Sequence, residues 1–347
     1  MADGDLMRTQ TAGRASEAKA EPGFNWFSDL QFHWDASITV RKTGVKITLK
    51  ELTAGELSKF FAYLGVLLVQ AAGVRLSGRK RYKVWFTPDR PRPWYVVWSA
   101  ATLAGVKFVR DERQADAIFW FEDVTLGAAP RIPGHSVLNA GVTDISKSTV
   151  AAIFGKVAGY DLSLDPATHH GQAVEKSELN GKHDGRLVEC PTAPQPGRSY
   201  QRFIDSSDGV TAFDYRTTII DRKPQFVLVK TKPATDRFSI HNVTVTFREL
   251  ADVFSAEEID LIHRFAEEIQ LDWGAFDILR DRASGRIYVV DVNKTDTGPA
   301  VDLSFRCREK LKRAISRAFF EMVQARAAAR PPGPRESGLA DRHERNC

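Results

Sequence analysis

Alternation of apolar and polar residues along this chain switches repeatedly between the period of a strand and that of a helix, and the switches mark its elements. SITVRK and VKITLK, on either side of Thr43-Gly44, read as a β-hairpin. A helix is expected from about Glu51 to Gly73 with Thr53 as its N-cap, followed by the strand YKVWFT, a helical stretch around WYVVWSAATLAG and the strand AIFWFED. Strands alternating with helices imply an α/β unit. Further along, AEEIDLIHRFAEEIQLDW is an amphipathic helix with Ser255 as its N-cap, and residues 306–326 form a last, basic helix. Residues 1–23 and 327–347 read as disordered tails.

The segment LDWGAFDILRDRASGRIYVVDVNKTDTGP, residues 271–299, carries the strongest chemical signal. Two β-prone stretches flank a turn containing Ser284 and Gly285, so they are expected to pair as a hairpin. Asp291 and Asn293 are two apart and project from one face of an extended strand; antiparallel pairing brings Asp277 alongside them. Two carboxylates and an amide oxygen suit magnesium, which takes hard oxygens and keeps positions for water and phosphate. The same residues also serve as the polar rim of an ordinary hairpin, since Asp and Asn are common turn formers.

Upstream, GQAVEKSELNGKHDGRLVECP, residues 171–191, places Lys176 at the end of a short apolar strand, before a polar loop with Asn180, Gly181 and Gly185 and a returning strand. Small residues let backbone N–H groups approach anionic oxygens, and the lysine adds a point charge where a triphosphate would lie. The spacing is not that of a Walker A loop, and taken alone a lysine followed by a Gly/Asn turn is more often a plain hairpin.

Together and in this order, these segments resemble the ATP-grasp superfamily from about Asn139 to Gln324. LNAGVTDISKSTVAAIFGKVAGYDLSLDP is similar to the family's opening segment, with Asn139, Lys147 and a helix ending near Gly159. Lys176 and residues 180–185 look like the nucleotide-binding lysine and its flexible glycine loop. YQRFID, with Gln201 and Phe203, is similar to the strand that meets adenine, and FDYRTTII offers Asp214 and Arg216. Asp277 with DVN at 291–293 resembles the closing metal motif. The resemblance implies a mixed α+β and α/β chain: an ATP-grasp fold at 139–326, two α+β subdomains gripping ATP, preceded by a small α/β domain at 24–138. The opening hairpin is unusual for that family.

What the resemblance implies chemically is an ATP- and magnesium-dependent ligase, manganese being an alternative ion. It would activate a substrate carboxylate as an acyl phosphate for attack by an amine or thiol. Lys176 and Arg216 would act on the transferring phosphoryl group. Lys147, Lys176, Asn180, Gly181, Gly185, Gln201, Phe203, Lys230 and Arg237 would bind the nucleotide, and Asp277, Asp291 and Asn293 the metal. A phosphotransferase acting on a hydroxyl, or a non-catalytic nucleotide-binding protein, fits the same fold. Two features depart from the family: Asp291 stands where glutamate is usual, and NKTDTGP puts Lys294 and Asp296 before Pro299, which changes the acceptor side.

Composition narrows the partners. A chain of 347 residues, 43% hydrophobic, buries a substantial core and suggests two domains plus tails. Cys190, Cys307 and Cys347 are scattered without metal-ligand spacing, which fits a reducing, cytoplasmic setting, and no signal peptide is visible. The longest apolar run, Phe60–Val74, is too short to cross a bilayer, so no membrane partner is expected. The net charge of +5 and the basic run RLSGRKRYK at 75–83, with Arg90 and Arg92 beyond, invite a nucleic-acid reading. No nucleic-acid module accompanies them, and a small anionic carboxylate substrate is the better use. Glu122 and Asp123 end a strand, where they either face a cleft or cap the sheet edge with charge, the cap being the commoner use. His169, His170, His183 and His241 lack zinc spacing. A homo-oligomer is compatible with all of this.

Overall fold

The computed structural model describes residues 30–35, 37–40, 46–47, 54–78, 80–239, 243–298 and 303–329. The expected Thr43-Gly44 turn, the Thr53 cap, His241, the N-terminal tail and the C-terminal tail beyond 329 lie outside the described residues. Strands β1 (Leu30–Phe32), β2 (Ile38–Val40) and β3 (Lys46–Ile47) form an antiparallel meander in which Ile38 faces Ile47, the register of the expected hairpin. Helix α1 (Ala54–Leu76) follows. It extends past the apolar run at both ends, and Ser58–Leu76 is by length and composition long enough to cross a membrane, which corrects the shorter estimate made from Phe60–Val74.

Next come β4 (Lys83–Pro88), α2 (Val96–Leu103), β5 (Lys107–Val109), β6 (Ala117–Phe121) and β7 (Val137–Leu138), an all-parallel sheet in the order β5-β4-β6-β7. All five residues of β6, AIFWF, are buried, as a parallel strand covered on both faces requires.

Helix α3 (Lys147–Ala158) ends at Gly159, which caps it in the left-handed conformation at φ 76°. Strands β8 (Gly171–Ser177), β9 (Arg186–Cys190) and β10 (Arg198–Arg202) then form an antiparallel sheet with β8 central. A larger antiparallel sheet takes β11 (Thr211–Ile220), β12 (Lys223–Pro233), β13 (Thr244–Arg248), β14 (Trp273–Arg280) and β15 (Ile287–Asn293), in the order β13-β12-β11-β14-β15. Helix α4 (Ala256–Glu268) interrupts it, started by a reciprocal capping box between Ser255 and Glu258. The chain closes with α5 (Phe305–Ala328).

Strand periodicity splits the large sheet between two cores. Ile219, Val227, Phe276 and Val292 face α3 and α4, where the rings of Phe265 and Phe276 lie 4.9 Å apart. Ile220, Phe226 and Trp273 face the other way, onto α5 and the parallel sheet, where Phe319 meets Trp273 at 5.4 Å and stacks on Phe119 at 6.5 Å. This is the α/β-then-α+β layout expected of the ATP-grasp fold.

Asn139 locks the junction between the two parts. Fully buried at φ 61°, it imitates a strand residue: its Nδ2 donates to the Trp273 carbonyl at 2.9 Å and its Oδ1 accepts from the Trp273 amide at 2.8 Å. Its own backbone N–H donates to Asp272 at 2.7 Å, and Asp272 also takes Arg222 and Arg326. Replacing Asn139 by alanine leaves two buried backbone groups unpaired and puts in the left-handed conformation a residue that adopts it less readily than asparagine. Asn139→Ala is therefore expected to destabilise the protein by roughly 2–5 kcal/mol, read as the shift in a denaturant unfolding curve.

Candidate functional site

A cavity of about 220 Å³ opens between the three-stranded and five-stranded sheets. Its small-sheet wall follows from strand period: Val174 and Lys176 are two apart on β8, and Val174 pairs with Gln201 on β10, so all three share one face. Its large-sheet wall is a row across three strands. Arg216 on β11 faces Asp277 on β14, which faces Asp291 on β15.

A bulge in the last pair joins the two walls. Asp277 pairs with Asp291, but the next residue, Ile278, pairs with Val289, so Val290 is the extra residue. Its carbonyl accepts the Lys176 ammonium at 3.0 Å. Burial pushes the Lys176 pKa down to about 8, which the Asp291 charge only partly offsets.

The row itself is tightly charged. Arg216 grips both oxygens of Asp277 with one nitrogen, at 2.8 and 3.0 Å, and reaches Asp296 with the other at 2.5 Å. Burial would favour the neutral guanidine, yet these two carboxylates hold Arg216 protonated well above its ordinary range. Burial likewise works to raise Asp277, but Arg216 and Lys230, the latter at 3.9 Å, outweigh it and hold that carboxyl at about 2. Asn293 donates its amide to Asp277 at 3.2 Å. Lys147, the first residue of α3, binds Asp291 and Asn180 together, and Asn180 donates in turn to the Val292 carbonyl at 2.9 Å.

Most residues singled out from the sequence therefore converge. Lys176, Gly185, Gln201, Phe203, Arg237, Asp277 and Asp291 line the cavity. Lys147 stands behind them on Asp291 and Asn180 on Lys147, while Arg216, Lys230 and Asn293 stand on Asp277. Gly181 is not in the lining; its φ of 74° shows a turn position that favours glycine. At the rim, Arg237 lies 4.8 Å over the Phe203 ring, and a β-carbon on Gly185 would come within 3.3 Å of Phe238. Gln201 Nε2 is buried with no hydrogen-bond partner among the described residues, so it is open to a ligand.

Asp214, Lys232 and Phe238 also line the cavity: Asp214 stands out in the sequence beside Arg216 without an assigned role, Lys232 belongs to the basic stretch before a loop able to cover phosphate that also holds Lys230 and Arg237, and Phe238 carries no sequence signal. Asp214 is two residues before Arg216 on the same strand, so strand period alone could have marked it. Burial, with the Asp277 charge beside it, pushes its carboxyl up to about 6 against the pull of Lys230 and Lys232.

The departure after Asn293 has a structural role. Thr295 donates to Asp123 at 2.6 Å, the backbone of Asp296 accepts from Val96 at 3.0 Å, and Lys294 is buried 4.1 Å over the Trp120 ring. Asp123 also accepts from Tyr95 at 3.0 Å, which supports its reading as a strand-end cap.

Among the described residues no group of three or more His, Cys, Asp or Glu side chains could cage a metal. The donor set nevertheless fits a cation that keeps water and phosphate ligands. Lys147 and the Val292 amide both meet Asp291 at Oδ1, leaving Oδ2 without a partner among the described residues; Asn293 turns its amide nitrogen to Asp277, and the opposite amide orientation would present its oxygen there.

No known family profile matches the chain, and no curated protein sequence does. Several solved structures are similar to it. They include the ligase PsnB with a minimal precursor, at 18% identity over 55% of this chain and 64% of that one with a TM-score of 0.37. A second PsnB structure, with a phosphomimetic precursor variant, Mg and ADP, matches at 14% identity over 71% and 99%, TM-score 0.45. An ATP-grasp RimK domain protein from Sphaerobacter thermophilus matches at 14% over 70% and 99%, TM-score 0.44. A D-alanine–D-alanine ligase from Bacillus anthracis with ATP matches at 10% over 73% and 99%, TM-score 0.43. With all of these scores below 0.5, the reading of the site rests on its own geometry.

The raised Asp214 pKa carries a defined pH signature. The folded protein binds this proton more tightly than the unfolded chain, so ionised Asp214 opposes folding at neutral pH, and the effect fades as pH falls toward 4. Asp214→Asn is expected to raise the thermal midpoint at pH 7 and to lose that advantage near pH 4, measured by calorimetry across pH.

Proposed function

We propose that this cavity binds ATP with Mg²⁺, and that the protein is an ATP-grasp ligase that activates a substrate carboxylate as an acyl phosphate for capture by an amine or thiol. One observation carries the reading: an ammonium from the small sheet, Lys176, and two carboxylates from the large sheet, Asp277 and Asp291, line a single cavity. That is the charge pattern a metal-bound triphosphate needs.

In this reading Lys176 binds phosphate oxygens, because among the described residues its ammonium donates to one neutral carbonyl and two of its N–H groups remain to donate. Asp291 Oδ2, Asp277 and the Asn293 carbonyl would hold Mg²⁺, or Mn²⁺ in its place. The ion would draw charge from the phosphate oxygens as phosphoryl transfer proceeds. Arg216 positions Asp277 and keeps it ionised, and with Lys230 it supplies fixed positive charge near the transferring group. Gln201, Phe203 and Arg237 would offer the base an amide, an aromatic ring and the guanidinium that lies over that ring. Closure of the two sheets over the cavity would exclude water, which otherwise hydrolyses an acyl phosphate.

Two measurements test this. Incubation with Mg-ATP, hydroxylamine and a panel of small carboxylates should yield ADP and a hydroxamate. A phosphotransferase would release ADP and give a stable phosphoester instead. Asp291→Ala should lower turnover by roughly 10²–10³ while the unfolding midpoint is largely kept, because the side chain lies at the cavity wall. Near-normal turnover would remove Asp291 from the site. Separately, Lys176 loses its charge as pH rises through about 8 in the free protein, so nucleotide affinity should weaken over that interval. Lys176→Met should bind weakly and without that pH dependence, by isothermal titration.

A further inference from the structure

Helix α1 presents an unusual surface. Between Lys59 and Arg75 it has two residues with hydrogen-bonding side chains, Tyr63 and Gln70, and both turn inward. Tyr63 donates to Ser99 at 3.1 Å; Gln70 donates to Glu309 and accepts from Lys312, both at 2.7 Å. Tyr63, Leu67 and Ala71 form the buried stripe, the first two packed with Trp98 of α2. What remains for the outside is apolar. Phe61, Val66, Leu68, Val69 and Leu76 are 61, 41, 43, 74 and 87% exposed, and only 17% of the window from Ser58 to Leu76 is buried.

The helix end changes character. Arg75, Lys80, Arg81 and Lys83 are exposed, Arg79 belongs to the same run, and no acidic residue occurs between Glu56 and Asp89. An outward apolar face leading directly into a cationic cluster matches an interface that is hydrocarbon on one side and anionic on the other.

We propose that α1 docks this protein onto an anionic membrane surface, lying in its plane with the apolar face in the acyl boundary and the 75–83 cations on lipid headgroups. It lies on the bilayer rather than crossing it, since removal from the fold would strip Gln70 from Glu309 and Lys312. A second copy could cover the apolar face, but in a symmetric pair it would offer the same cations and no opposite charge from this segment. Such docking stands against the sequence expectation of no membrane partner, and it does not depend on nucleotide binding.

Flotation of the full chain with vesicles tests it, comparing phosphatidylcholine alone with phosphatidylcholine containing roughly one third phosphatidylglycerol. The protein should float with the anionic vesicles and stay behind with the neutral ones, and added salt should release it. Val69→Glu should lower the bound fraction about tenfold or more, and Arg75→Glu with Lys80→Glu should do the same. Circular dichroism should show both variants folded, since all three positions are exposed. A wild type that ignores anionic vesicles, or a Val69→Glu variant that floats as well as wild type, overturns the proposal. So does a vesicle-indifferent wild-type dimer that Val69→Glu splits into monomers, which would assign the face to a second copy.

Discussion

The ion pair between Arg216 and Asp277 is the constraint on which the candidate site depends. Both lie on neighbouring strands in direct register, both are largely withdrawn from solvent, and neither charge is tolerable there without the other. Because Arg216 also takes Asp296, the pair fixes the loop after β15 as well as the middle of the sheet. That loop in turn meets the start of α2 and the end of β6. One guanidinium thus ties the floor of the cavity to the parallel sheet.

Around this pair Asp214, Asp277, Asp291 and Asp296 meet Lys147, Lys176, Arg216 and Lys230, and with Arg202, Lys232 and Arg237 on the cavity lining the basic side chains outnumber the acidic ones. Asp214, which has no ion pair among the described residues, is the carboxyl whose pKa rises. Such an excess of positive charge suits a polyanionic ligand, and the carboxylates of Asp277 and Asp291 suit a divalent cation that arrives with it.

Much of this was legible in the sequence where chemistry and strand period coincide. Asp277, Asp291 and Asn293 could be placed together because a turn with Ser284 and Gly285 sets the hairpin, and Lys176 because its strand ends at a glycine loop. Asp214 is marked in the sequence beside Arg216 but without a role, because it reads as one more polar residue on a mixed strand and only the folded sheet shows that it is buried. Asn139 was recognised as an opening signature, but its bonds to Trp273 span 134 residues and no local pattern encodes them. The return of α5 onto the parallel sheet is equally non-local. In helix α1 the gap is of another kind: the apolar run Phe60–Val74 is shorter than the helix that carries it, and which of its faces is outward depends on where α2 and α5 pack.

Strand β15 holds one residue more than its partner needs, and that surplus position, Val290, turns a main-chain oxygen toward Lys176. The link between the two halves of the cavity is therefore made by chain length and not by side-chain identity. Almost any amino acid at 290 would preserve it, whereas loss of a single codon would straighten the strand and disconnect the lysine. Comparing such sites letter by letter would miss the connection; spacing is the quantity to compare.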